Sequence, residues 1–336
     1  MAKLFGKNYT KSQLRKNIGD ISQIGGATEF VYSQGKANSV KAIEVRNGSG
    51  LRFVILPDRG MDIAYAEYKG TPISYISKTG IASANHYDEP DFLRNFYAGL
   101  LTTCGITYMG PPCEDDGKKL GLHGRISNIP AYDVGIVQEW QDDDFVISVR
   151  GKVRESTVFG ENMVLTRTIK TKLGENKIII EDEVENEGFE PTPLMMLYHM
   201  NFGFPLISGA TELKTNCTNL RAKDAEAQKG IKDACKFSEP ISGYKEQVFY
   251  RDAVKNSFAE LMNKEIGLSV KLEFDGEELP YLIEWKQMGE QEYVVGVEPS
   301  TYTVDGRAKA RERNELLFLG PQENKKNTII ININSI

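Results

Sequence analysis

The stretch Ser39-Val-Lys-Ala-Ile-Glu-Val45, Asn47-Gly-Ser-Gly50, Leu51-Arg-Phe-Val-Ile-Leu56 sets two runs of alternating apolar and polar residues on either side of a glycine-rich turn. A strand sends successive side chains to opposite faces, so a period of two describes a ribbon with one buried side. Glycine between two such runs reverses the chain, and the three segments together predict a β-hairpin. The same pattern recurs along the sequence. Phe145-Val-Ile-Ser-Val-Arg-Gly-Lys-Val153 has it, and residues 163–172 and 177–184 repeat it around Leu173-Gly-Glu-Asn176. Later runs at 268–274, 282–285, 293–297 and 328–333 are rich in Val, Ile, Thr and aromatic residues, which suit a pleated surface.

Helical signal is sparse by comparison. Residues 12–18 form one short candidate. Pro90-Asp-Phe-Leu-Arg-Asn-Phe96 is a second, of one or two turns, capped by Asp88 or Glu89. Residues 224–235 form a third, peripheral helix with a weak apolar stripe. There is no regular βαβ alternation, GxGxxG or P-loop, which argues against a parallel α/β fold. The expectation is a large antiparallel β-sandwich with long loops, the usual place for a concave polar site. No composition shift marks a linker. The chain is read as one unit over residues 1–336, with its core at 35–333 and residues 1–34 packing on it as an extension.

With 336 residues, 40% hydrophobic and 26% charged, the chain has ample material for a core. A net charge of −6 gives no reason to expect nucleic acid as a partner. No apolar run is long enough to suggest a signal peptide or a membrane span, so a cytoplasmic location without membrane association is expected. Cys104, Cys113, Cys217 and Cys235 show no CxxC spacing and are expected to remain thiols.

Histidine occurs three times. His123 lies in Gly121-Leu-His-Gly-Arg125, where glycines permit unusual dihedrals and close approach of a ligand. It presents imidazole beside the Arg125 guanidinium, although a plain surface loop would read the same way. His199 follows the apolar run Pro193-Leu-Met-Met-Leu-Tyr198, and Asn201 falls on its face if the strand continues. A satisfied core histidine is the alternative. His86, in Ala84-Asn-His-Tyr87, reads as a solvent-exposed loop residue. Glu298 ends the run Tyr293-Val-Val-Gly-Val297 and is followed by Pro299. A carboxylate there loses hydration, which lifts its pKa toward the range of a useful base. A structural ion pair would explain it equally. Arg59, in Leu56-Pro-Asp-Arg-Gly-Met-Asp62, either holds ligand oxygens or neutralises a nearby carboxylate. Trp285 either stacks on a sugar face or fills the core, and Lys286 follows it. The three histidines lack metal-ligand spacing such as HExxH, and no GxSxG is present. The expected chemistry is acid/base work by side chains, without metal or cofactor.

Taken together, Leu122-His-Gly-Arg125, Tyr198-His-Met-Asn-Phe-Gly-Phe-Pro205, Val297-Glu-Pro299, Leu56-Pro-Asp-Arg-Gly-Met-Asp-Ile63 and Glu284-Trp-Lys286 resemble the aldose 1-epimerase (galactose mutarotase-like) superfamily. The similarity is greatest to a divergent bacterial branch of the DUF4432 type. The resemblance spans residues 35 to 333. It implies an antiparallel supersandwich with a few short helices and a sugar in its concave face. It also implies His199 as general acid, Glu298 as general base, and His123 on sugar oxygens. Arg125, Arg59, Asn201, Trp285 and Lys286 are the further expected sugar contacts, and three cations among them raise the expectation of an acidic sugar. The implied partner is a small sugar or sugar derivative bound by a monomer or homodimer. Anomer interconversion is the implied activity. Sugar binding without turnover, or epimerisation of a modified or acidic sugar, are the alternatives. This sequence carries Leu-His-Gly-Arg where the superfamily has Leu-His-Gly-Gly, and Tyr198-His199 where it has Asn-His.

Overall fold

The computed structural model describes residues 1–87 and 89–336. Strand makes up 49% of the chain and helix 11%, in antiparallel sheets, so the fold is all-β. Three sheets carry the body among the described residues. Five strands, Gly26–Val31, Lys41–Arg46, Leu51–Leu56, Asp62–Tyr68 and Thr71–Pro72, follow one another as a meander. The hairpin expected from residues 39–56 lies within it, with Ile43 opposite Ile55 and Val45 opposite Phe53.

The eight-stranded sheet runs in the order Tyr132–Gln141, Asp144–Ser156, Asn162–Lys172, Lys177–Asn186, Asn324–Ser335, Leu268–Phe274, Ser257–Asn263, Thr211–Thr215. Its alternation is almost unbroken. Phe145, Ile147, Val149 and Val153 are buried from one strand, and Ile178, Ile180 and Val184 from another. Against this sheet lies a third, ordered Thr218–Ala222, Gln247–Asp252, Tyr281–Gly289, Glu292–Ser300, Leu197–His199, Thr102–Cys104, with Asn201–Gly203 also paired to Glu292–Ser300. The principal core lies between these sheets. At roughly 25 cal/mol per Å² of apolar surface removed from water, such burial is the main term holding them together.

One buried polar group joins all three sheets. Arg167 occupies an inward position between Leu165 and Ile169. It donates to Asp182 directly across the strand pair at 2.8 and 2.7 Å, to Asp62 at 2.9 Å and to Thr103 at 2.8 Å. The Tyr198 hydroxyl donates to Asp182 from the facing sheet at 2.8 Å.

The helices are short. Lys11–Asn17 is held by a capping box between Thr10 and Gln13, and its Leu14 reaches the core. Ala225–Gly230 is capped by Asp224. Arg307–Glu312, which the sequence pattern does not announce, is tied down by buried Arg307 donating to Asp115. Glu89–Arg94 is 3-10 on either side of a kink at Asp91. The expected caps at Asp88 and Glu89 lie outside the described residues and side chains. No helix among the described residues is long and apolar enough to cross a membrane. All four cysteines are unpaired.

Candidate active site

Period two sorts the third sheet into a core face and a site face. On the strand through Leu197–His199, Met196 and Tyr198 enter the principal core, while Met195 and Leu197 join a separate cluster on the other side. His199 continues that second parity. On Glu292–Ser300, Tyr293, Val295 and Val297 face the core, which sends Gly296 and Glu298 to the same side as His199. On Tyr281–Gly289, Leu282 and Met288 belong to the core, whereas Ile283 and Trp285 join the site-side cluster. Glu298 lies opposite Ile283, and Gly296 opposite Trp285.

These residues floor a cavity of about 280 Å³. Its far wall comes from two loops, one bearing Phe92 and Phe96 and the other Leu122 and His123. The rings form a tight box. His199 lies 5.7 Å from His123, 5.2 Å from Trp285 and 5.2 Å from Phe96. His123 has φ of 59°, an uncommon left-handed conformation for a residue with a Cβ. Its backbone is pinned by Gly110, which accepts from its N–H, and by Gly105, which donates to its carbonyl. A Cβ on the following Gly124 would stand 2.4 Å from two backbone oxygens, so glycine is required there.

His199 and Glu298 are 6% and 2% exposed. Nδ1 of His199 stands 3.3 Å from Oε1 of Glu298, yet neither atom has a partner that meets hydrogen-bond geometry. Nδ1 of His123 is likewise buried and unpartnered. Burial pushes His199 down to about 3, with His123 adding to the shift. Burial also pushes His123 down to about 4, helped by the charge of Lys223. Burial, reinforced by Glu246, lifts the Glu298 carboxyl well above the usual carboxylate range, and Lys223 opposes this. For His199 and Glu298 both shifts favour the uncharged forms, a neutral imidazole and a protonated carboxyl, and the two groups stand close enough to share one proton. Larger hollows exist, such as one of about 600 Å³ beside Phe189 and Arg307, but its lining brings no His to a buried carboxylate.

Of the expected contacts, His123, His199, Trp285 and Glu298 line the cavity. Others do not. Arg59 is 1% exposed and spends its guanidinium on the carbonyls of Ser127, Ala82 and Asn95, at 2.7, 2.6 and 3.1 Å, with Tyr97 stacked 4.9 Å away. It ties together the two loops that form the far wall and stands outside the cavity lining. Lys286 neighbours Trp285 on a strand and therefore points to the opposite face. There it donates to the carbonyls of Asp233 and Lys236 and packs 5.5 Å from the Phe237 ring. Arg125 stands outside the lining, and its charge acts on Glu155 and Glu161. The strand breaks at Met200, and the Asn201 amide turns back to donate to the His199 carbonyl at 2.8 Å. Glu298 sits inside its strand, which runs through Pro299 to Ser300. His86 is exposed, as expected.

The sequence reading did not include Phe92, Phe96, Lys223 or Glu246 in the site. Lys223 and Glu246 are exposed charges that contribute to the cavity, Glu246 accepting from Nε1 of Trp285 at 2.8 Å. It also passed over Gly296. A Cβ there would stand 2.1 Å from Oε1 of Glu298, so glycine makes the space in which the carboxyl lies. Gly296→Ala is expected to displace the carboxyl and reduce kcat on the order of 10²-fold, the scale of a misplacement near 1 Å. Turnover measured beside a thermal melt checks this. A folded variant with full turnover would show that the carboxyl position is not critical.

Residues 37–333 match the family described as "Domain of unknown function (DUF4432)". The chain belongs to this family. No curated protein matches it by sequence. Among solved structures, this DUF4432 chain is similar to a candidate aldose 1-epimerase from Klebsiella pneumoniae subsp. pneumoniae, with TM-score 0.88 and 22% identity over 97% of this chain and 86% of that one. It is similar to a galactose mutarotase-like protein from Clostridium acetobutylicum, with TM-score 0.67 and 18% identity over 94% and 100%. A galactose 1-epimerase from Lactobacillus acidophilus aligns with TM-score 0.60 and 13% identity over 92% and 99%. At these identities the likeness establishes the galactose mutarotase-like fold, and function has to be argued from the site.

Proposed function

We propose that this protein is an aldose 1-epimerase-like enzyme that interconverts the anomers of a monosaccharide by general acid/base catalysis. The observation that carries the reading is the buried His199–Glu298 pair, 3.3 Å apart, unpartnered and opening on the cavity. Its volume of about 280 Å³ sits at the small end for ligand pockets and suits one sugar ring.

Hydroxyls of a bound sugar donate to Glu298, favour its charged form and move the shared proton to His199. Glu298 then takes the proton of the anomeric hydroxyl while His199 delivers one to the ring oxygen. The bond from C1 to the ring oxygen breaks, C1 becomes a carbonyl, and rotation about C1–C2 presents its other face. Closure reverses both transfers and leaves the pair as it began. His123 holds a sugar oxygen, and Trp285 covers a ring face.

Anomer exchange of freshly dissolved sugars, followed by NMR, tests the proposal. Saturable acceleration is expected, with His199→Ala losing about 10²–10⁴-fold in kcat. Binding without acceleration would leave a carbohydrate-binding protein instead. The pH profile gives a second readout. The pair gains its second proton only near the depressed value of His199, about 3, and loses its one proton only at the raised value of Glu298. The log of kcat/KM is therefore expected to have its acid limb near about 3 and none near about 6.5, where an ordinary imidazole would titrate. An acid limb centred near about 6.5 would contradict the shared-proton arrangement.

A further inference from the structure

We propose that the sugar is a 6-deoxyhexose, with its methyl group packed against the Phe96 side of the cavity. This rests on the anomer-exchange reading and adds the substrate class to it. A hexopyranose brings four hydroxyls besides the anomeric one. Among the described residues, the polar side chains on the cavity are His123, His199 and Glu298, committed to the reacting end, and Lys223 and Glu246, which are exposed. One Glu246 oxygen is already held by the indole of Trp285. The remaining wall is apolar, with Phe92, Phe96, Leu122, Val248, Ile283 and Val304 its chief members.

That wall is built as a packed surface. Phe92 and Phe96 stack at 5.4 Å, and Phe96 meets Trp285 at 6.5 Å. The position of His199 orients the ring. The group that protonates the ring oxygen is next to C5, the ring carbon that carries C6, and Phe96 and Trp285 both lie 5.2 Å from the His199 ring. Among the described residues no side chain in this apolar corner offers an exocyclic hydroxyl a partner, whereas a methyl fits it. Pockets of this kind discriminate against an added hydroxyl by up to about 100-fold.

The test measures anomer exchange on three sugar pairs of one enantiomeric series that differ only at C6: D-galactose and D-fucose, D-glucose and D-quinovose, D-mannose and D-rhamnose. In the pair whose stereochemistry the site accepts best, the deoxy member is expected to have a kcat/KM about 10- to 100-fold higher. Equal values, or preference for the hydroxylated member, would overturn the proposal while leaving the epimerase reading intact. Acceleration of none of the six sugars would overturn the epimerase reading. The same pairs compared by thermal shift would then decide the ligand class, a larger shift with the deoxy sugar supporting it and an equal shift ending it. Phe96→Gln, which puts an amide into the corner, is expected to shrink the ratio. An unchanged ratio in a folded variant would remove the methyl from that wall.

Discussion

Glu298→Gln is expected to lower kcat about 10²–10⁴-fold and at the same time to raise the melting temperature at pH 7. The first effect follows from removing one partner of the proton exchange while preserving its shape. The second follows from the raised folded-state pKa of the carboxyl, caused by burial. An unfolded glutamate ionises near about 4.3, so between that value and the raised one the folded state must hold a proton that the unfolded state releases. The stability this group contributes is fully present below about pH 4.3 and is lost as pH rises toward the folded value. Glutamine has no proton to lose. The gain in melting temperature should therefore be present at pH 7 and absent near pH 4. An equal stability difference at both pH values would mean that the carboxyl is ionised in the folded protein and supported by a charge partner. A site that lowers the stability of its own fold is common where chemistry needs a desolvated acid.

The reasons the sequence disclosed part of this site are local ones. Residues 39–56 alternate so regularly that their hairpin follows from side-chain direction alone, and the later strands differ from the expected runs mainly in length. His199 and Glu298 stand out because each interrupts an apolar run, and burial without a partner is what the structure finds for their facing atoms. Two further facts were readable by the same rule. Lys286 directly follows Trp285, so both cannot face the cavity from one strand. Gly296 precedes Glu298 by two, which places its missing side chain under the carboxyl. Arg59 was not readable. Whether its guanidinium meets a ligand or backbone carbonyls depends on Ala82, Asn95 and Ser127, brought to it by loops far along the chain. Lys223 and Glu246 resemble any exposed charges until the sheet is assembled. The aromatic wall was hidden because the short segment carrying Phe92 and Phe96, kinked at Asp91, is too brief for an apolar stripe to assign it a face.

Arg167→Ala is expected to be the most destabilising single change outside the cavity, costing about 3–5 kcal/mol in urea unfolding at pH 7. The side chains of Arg167, Asp182 and Asp62 are all fully buried. Burial already holds the Asp62 carboxyl up at about 6 despite the guanidinium beside it. Removing the cation leaves two carboxylates facing each other's sheets without a counter-charge, and leaves Tyr198 and Thr103 donating into that unbalanced pocket. The control lies on the outer face of the same two strands. Lys170 and Glu181 pair at 2.5 Å but are 37% and 46% exposed, so Lys170→Ala should cost at most about 1 kcal/mol. Adding Asp182→Asn to Arg167→Ala should recover part of the loss, because it removes one of the two orphaned charges. Recovery would identify uncompensated charge as the cause. Its absence, with the double variant falling by the sum of both changes, would assign the loss to the packing of the guanidinium stem between Leu165 and Ile169.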